Sequence, residues 1–284
     1  MSSFTAACVQ ITSKGDVQEN LAAATALIRK AAAAGADLIT TPEVTNMLEP
    51  NKAKARAQAQ LQEEDVTLRA FRDLASETGV WILAGSLVIK KPDDDRLANR
   101  SVLIRPDGEI AATYDKIHMF DVELDTGESH KESRAYAPGD TARLAETPWG
   151  LLGMTVCYDV RFAHLYQQLA LGGAGIVTVP AAFTATTGDA HWHTLLRARA
   201  IENGCFVIAP AQCGQHSEKR FTYGHSLIID PWGKVLADGG EDPGIITAHI
   251  DMDQVARRRQ QIPNLRNIRD FRLAGPEAAT KAAE

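Results

Sequence analysis

The feature that most constrains this chain is an internal repeat. TLRAFRDLASETG (67–79) reads as an amphipathic helix ended by glycine, and it feeds an apolar strand, VWILAGSLVI (80–89). HWHTLLRARAIENG (191–204) reads the same way and feeds CFVIAPAQ (205–212). RSVLIRPDGEIAATYDK (100–116) has hairpin chemistry at Pro106-Asp107-Gly108, and SLIIDPWGKVLA (226–237) repeats it at Pro231-Trp232-Gly233. One offset, 125 residues, separates Gly79 from Gly204 and Pro106 from Pro231. The start of each unit matches more loosely. ADLITTP (36–42) answers AGIVTVP (174–180), and strands are expected at 4–11 and 151–156, with helices at 20–34 and 163–171.

Two similar units with strands apolar on both faces predict two sheets packed face to face with helices outside. The expected fold is therefore α/β, a four-layer α-β-β-α sandwich with pseudo-two-fold symmetry. It forms one domain, residues 1–260, followed by a tail, 261–284, whose last nine residues are expected to be disordered.

Thirty Lys and Arg against 36 Asp and Glu give a net charge of −6. That balance argues against nucleic acid as a partner, which demands a concentrated basic surface. Cysteines 8, 157, 205 and 213 form no C-x-x-C pair and read as reduced thiols. The N-terminus has no basic, then apolar, leader pattern, and no apolar run reaches the roughly eighteen residues of a membrane span. A cytoplasmic protein that binds no membrane is expected.

Phosphate-loop, zinc-protease and serine-elbow motifs are missing. His191 and His193 lie two apart on an expected helix and diverge, so no metal is expected there. Three residues remain, all at strand ends, where active sites of α/β proteins collect. Cys157 closes the strand LLGMTV within VCYDVRF, Glu43 follows Pro42, and Lys116 ends the first hairpin. Singly, each has an ordinary reading as a core thiol, a loop carboxylate or a surface lysine. Together they supply a nucleophile, a base for a thiol that is mostly protonated at neutral pH, and a cation for an oxyanion.

TPEVT around Glu43, YDKIHMFDVE around Lys116 and VCYDVRF around Cys157 resemble the three signature segments of the nitrilase superfamily of carbon–nitrogen hydrolases, and the resemblance runs from about residue 4 to 260. It implies the same duplicated sandwich. It makes Glu43 the general base, Lys116 the oxyanion stabiliser, Cys157 the nucleophile and Glu132, in HKESRAYAPGD, a second glutamate that positions Lys116. The backbone N–H of Tyr158 would complete the oxyanion site. Within the superfamily, residues 182–214 and 218–235 look most like the deaminated glutathione amidases. Two departures stand out: Ala163-His164 follows Arg161-Phe162 where relatives have Pro-Glu, and His193 replaces a glutamate.

The implied activity is hydrolysis of a primary amide on a small carboxylate-bearing metabolite, through a thioester, to acid and ammonia without metal or organic cofactor. Deaminated glutathione is the leading substrate. The ω-amidase reaction on α-ketoglutaramate and hydrolysis of N-carbamoyl amino acids are alternatives, as is a catalytically silent scaffold of the same fold. Arg161 is a candidate carboxylate ligand or a structural partner of Asp159. Phe183 and Thr187, on the loop after residues 174–180, would line the pocket, though Phe183 reads equally as core. The resemblance also implies a homodimer or higher homo-oligomer formed through the cysteine-side helices.

Overall fold

The repeat appears as two six-stranded sheets. The computed structural model describes residues 3–275 except 126 and 128, so the expected disorder of the last nine residues lies outside the described residues. The first unit comprises β1 (Ser3–Gln10), α1 (Val17–Ala33), β2 (Leu38–Thr40), α2 (Lys52–Gln58), α3 (Val66–Thr78), β3 (Trp81–Lys90), β4 (Leu97–Ile104) and β5 (Ile110–Asp115). A ribbon of β6 (Asp121–Glu123) and β7 (Ser129–Lys131) leads to the second unit. There follow β8 (Arg143–Thr147), β9 (Gly150–Met154), α4 (Ala163–Leu171), β10 (Ile176–Thr178), α5 (Ala185–Asn203) and β11 (Phe206–Ala209). The chain continues with β12 (Cys213–Ser217), β13 (Arg220–Tyr223), β14 (Leu227–Ile229), β15 (Val235–Asp238), β16 (Gly244–Asp251) and α6 (Asp253–Gln261).

The sheet orders are β16-β1-β2-β3-β4-β5 and β15-β14-β11-β10-β9-β8. Read in opposite directions the two orders correspond strand for strand. In each, three parallel strands (β1–β2–β3 and β9–β10–β11) are flanked by antiparallel ones. The two strands that complete the outer edges, β8 and β16, were not among the expected elements. Gly79 and Gly204, the pair that revealed the offset, both end their helices in the left-handed conformation, with φ of 70° and 54°.

Side-chain alternation accounts for the layers. Ala6, Cys8, Leu38, Leu83 and Leu103 face the second sheet, in one core with Val177, Phe206 and Ile208. Their neighbours Ala7, Val9, Ile39, Ile82 and Val102 face α1 and α3, in another core with Ile28 and Phe71. Each of the Val, Leu, Ile and Phe side chains among them contributes about 1.5–3 kcal/mol by leaving water, so a one-residue slip in register would empty both cores at once. Helix starts follow their caps. Asp16 accepts from the Gln18 and Glu19 amides, and α1 begins at Val17, ahead of the expected Asn20. Thr184 caps α5, which begins at Ala185 instead of His191, so Thr187 belongs to a helical first turn and not to a loop. α6 is integral to the fold. Val255 joins the central core, and Arg259 donates to the Ala174 and Asn203 carbonyls.

Candidate active site

Local backbone chemistry brings the three motifs together. β3 carries a bulge between Ala84 and Leu87. There the backbone of Gly85 lies so close to the Thr41–Pro42 turn that an added Cβ would sit 1.7 Å from the Thr41 oxygen. Gly85 N–H donates to Thr41 Oγ1, Ser86 N–H to the Pro42 carbonyl, and Val44 N–H to Ser86 Oγ. This clasp holds Val44 at a φ of 50° and aims Glu43 inward. Cys157 sits at a φ of 51° where β9 gives way to a 3-10 turn, Cys157–Arg161. Left-handed backbone at a non-glycine residue persists only where the surroundings impose it. Here the Cys157 N–H donates to the Pro180 carbonyl at 2.9 Å and the Val156 N–H to Asp159 Oδ2 at 2.8 Å. Asp159 is fully buried and also accepts from Tyr114 Oη and the His118 amide, with His118 Nδ1 at 2.7 Å. It therefore ties the lysine segment to the cysteine turn.

At the centre, Lys116 Nζ donates to Glu43 Oε1 at 2.9 Å and to both oxygens of Glu132, at 3.0 and 2.9 Å. Glu43 Oε1 also accepts from Asn99 Nδ2 at 2.8 Å, and Oε2 from the Ala182 amide at 2.8 Å. Glu132 accepts from Asn99 and from the Phe120 amide, so it fixes both the lysine and the segment after it. Asn99 Oδ1 is buried without a partner among the described residues.

The electrostatics follow from this packing. Burial alone would raise the Glu43 carboxyl, but the Lys116 charge and hydrogen bonds hold it below its usual range. Burial would lower Lys116, and the Glu132 and Glu43 carboxylates override it and raise the ammonium well above its ordinary value. Burial and the neighbouring Glu43 charge push the Cys157 thiol well up. The resting site thus pairs a neutral thiol with an ionised carboxylate and a protonated lysine, the protonation pattern that general-base attack requires.

Glu43, Lys116, Glu132, Cys157, Tyr158, Phe183 and Thr187 all line one cavity of about 1010 Å³. Among the described residues the Tyr158 N–H has no acceptor, which leaves it available to an oxyanion. Arg161 does not line this cavity. Its guanidinium lies over the Tyr158 and Phe183 rings, 5.8 and 5.4 Å from their centroids, and approaches His191 Nδ1 at 3.3 Å. Pairing with Asp159 is also excluded, because that carboxylate is fully engaged elsewhere. Besides Lys116, the lysines and arginines that line the cavity are Lys52, Arg56, Lys131, Arg134, Lys219 and Arg220. Arg220 is braced by the Ala182 carbonyl at 2.9 Å. Sequence reasoning missed Asn99, the Ala182 amide and Arg220. The polar run Asn99-Arg100-Ser101 inside an otherwise apolar strand was the available signal for Asn99.

Comparison with known proteins bears on family and fold. Residues 5–260 match the carbon-nitrogen hydrolase family model. The deaminated glutathione amidase of Synechocystis is 42% identical over 277 residues, covering 94% of this chain and 98% of that one. The human deaminated glutathione amidase is 40% identical, covering 90% of this chain and 80% of its own. Among solved structures, the Caenorhabditis elegans NitFhit protein superposes with a TM-score of 0.88 at 36% identity, over 95% of this chain and 66% of that longer one. Saccharomyces cerevisiae Nit3, a member of branch 10 of the nitrilase superfamily, gives 0.83 at 29% identity, over 92% and 94% of the two chains.

Proposed function

The chain belongs to the carbon–nitrogen hydrolase family, as a hydrolase of carbon–nitrogen bonds other than peptide bonds, and on that premise we propose that it cleaves deaminated glutathione through a Cys157 thioester. Cys157 Sγ attacks the amide carbon while Glu43 takes the thiol proton. Lys116 and the Tyr158 N–H hold the oxyanion, and Glu132 and Asn99 keep Lys116 and Glu43 in place. Glu43 returns the proton to the leaving nitrogen, the C–N bond breaks, and the thioester remains. Glu43 then takes a proton from water, whose oxygen attacks the thioester, and the carboxylic acid leaves as the thiol re-forms. The preorganised cation and amide supply the largest share of the rate, about a hundred- to thousandfold for each oxyanion donor.

The leaving group follows from the substrate's own chemistry. Deaminated glutathione has lost its free amino group, and its two nitrogens both sit in substituted amides. Cleavage of the amide next to the oxo-acid therefore yields 2-oxoglutarate and cysteinylglycine. Ammonia, the product first expected, belongs to α-ketoglutaramate, which carries the same acyl group on a bare NH₂. The two reactions share a thioester and differ on the leaving-group side of the site.

The observation that carries the choice is the cavity. Its volume of about 1010 Å³ and its cationic lining suit a dipeptide leaving group ending in a carboxylate, and far exceed a five-carbon amide. The relatives named deaminated glutathione amidase support the same reading. The test is to supply deaminated glutathione, α-ketoglutaramate and an N-carbamoyl amino acid in parallel, and to assay 2-oxoglutarate, cysteinylglycine and ammonia. Cysteinylglycine and 2-oxoglutarate in equal amounts, without ammonia, is the expected result. Ammonia from α-ketoglutaramate alone would move the chain to the ω-amidases.

Two further features complete the proposal. Residues 1–260 act as one catalytic domain, with 261–284 as a tail. Leu171, Ile201, Trp232 and Ile262, all in the second half of the chain, are about half exposed, which supports a homodimer or higher homo-oligomer. Four free, buried cysteines suit a reducing compartment such as the cytoplasm. No helix among the described residues is long and apolar enough to cross a membrane.

A further inference from the structure

His193, on α5, turns away from His191, as their two-residue spacing predicts, and meets residues distant in sequence. His193 Nε2 lies 3.0 Å from Asp238 Oδ2, and His225 Nδ1 lies 2.8 Å from Asp238 Oδ1. One ligand atom from each of the three falls within 4.8 Å of the others. We propose that His193, His225 and Asp238 form a divalent-metal site of the zinc class, separate from the catalytic cavity.

Two imidazoles and a carboxylate on one centre, with open positions for water, is a recurring donor set for zinc and other first-row metals. Bonds of about 2.0–2.2 Å set tetrahedral ligands roughly 3.3 Å apart, so loading asks for small adjustments of side chains that already converge. Each ring needs only to carry its proton on the nitrogen that faces away from Asp238.

The donors are held by three separate elements, and the supporting contacts are fixed. Asp238 ends β15 and accepts the Gly240 N–H on Oδ1 at 2.9 Å, which orients its carboxylate. His225 is at a φ of 54°, imposed by its N–H donating to the Gly240 carbonyl and by Trp192 Nε1 donating to the His225 carbonyl at 2.8 Å. Its ring stacks on Tyr223 at 4.5 Å between centroids. Such outer contacts set the orientation and affinity of metal ligands. The three side chains are 21–35% exposed, which leaves an entry path from solvent.

A bound ion would tie α5 to the turn after β13 and to the end of β15. The first turn of α5 carries Thr187 and β13 begins at Arg220, so the ion would brace a wall of the catalytic cavity from outside.

The test is calorimetric titration of the full chain with Zn²⁺ alone, for the wild type, His193→Ala, Asp238→Asn and Cys157→Ala. Saturation at one ion per chain is expected in the wild type and in Cys157→Ala, and at least tenfold weaker binding in the other two. His193→Ala is the safest variant, since His193 sits on the accessible side of α5, and circular dichroism checks its fold. Co²⁺ offers a second readout on the wild type, with d–d bands and no thiolate charge-transfer band expected. The proposal is overturned by the lack of saturable binding, by binding that survives His193→Ala unchanged, or by a thiolate band that vanishes in Cys157→Ala.

Discussion

His216 makes the stability of this fold depend on mild acid in a way the structure quantifies. It is buried on β12, with Nδ1 2.6 Å from the Ser13 carbonyl and Nε2 2.6 Å from Thr222 Oγ1. One tautomer of the neutral ring satisfies both contacts, donating to Ser13 and accepting from Thr222. Burial lowers its pKa from 6.5 to about 4. Between those values the unfolded chain binds the proton and the folded chain does not, so stability falls as pH falls. Linkage gives a loss of about 2 kcal/mol between pH 7.5 and 5 from this residue alone, rising to about 3 kcal/mol below its folded pKa. The assay is urea denaturation at both pH values for the wild type and for His216→Asn, which keeps a donor toward Ser13 but cannot titrate in this range. The variant starts less stable at pH 7.5 by about 1–2 kcal/mol, through the lost contact to Thr222, and the gap closes at pH 5. Parallel losses in the two proteins would refute the reasoning. The consequence reaches the active site, because β12 and β13 form the hairpin that carries Lys219 and Arg220.

Three further outcomes follow from the site. Gly85→Ala forces a Cβ against the Thr41 and Pro42 carbonyls, so a loss of about 3 kcal/mol in stability is expected from urea melts, along with most activity. A variant as stable as the wild type would contradict the clasp. Asn99→Leu removes the amide donor that Glu43 and Glu132 share and leaves Lys116 as the donor common to both, and kcat/KM should fall about a hundredfold in steady-state assays while circular dichroism stays unchanged. Because the Cys157 thiol is pushed up, its alkylation by iodoacetamide should keep accelerating beyond pH 9, with no plateau near neutrality. A plateau below pH 8 would mean a resting thiolate.

The strands and helices that bury apolar faces were legible because their periodicity and glycine caps are local. The clustering of Glu43, Lys116 and Cys157, the proposed catalytic trio, was legible because each ends a strand within a short motif. Other features depend on contacts that no local pattern announces. β16 reads as a strand only once β1 lies beside it. α5 hides its first turns behind Gly188, which lowers any helix reading from 185 to 190. Asn99 fell just outside the expected strand at 100, although β4 begins at Leu97. Arg161 is near Cys157 in sequence, whereas the arginines that line the cavity, Arg56, Arg134 and Arg220, lie 23 or more positions away. His193 likewise finds its partners across the fold, at 225 and 238.

The central claim is that Cys157 is the nucleophile of an amidase acting on deaminated glutathione. The most direct test compares 2-oxoglutarate release from that substrate by the wild type and by Cys157→Ala, with circular dichroism to establish that both are folded. The account predicts turnover by the wild type and none by Cys157→Ala. Release by Cys157→Ala at the wild-type rate would contradict it.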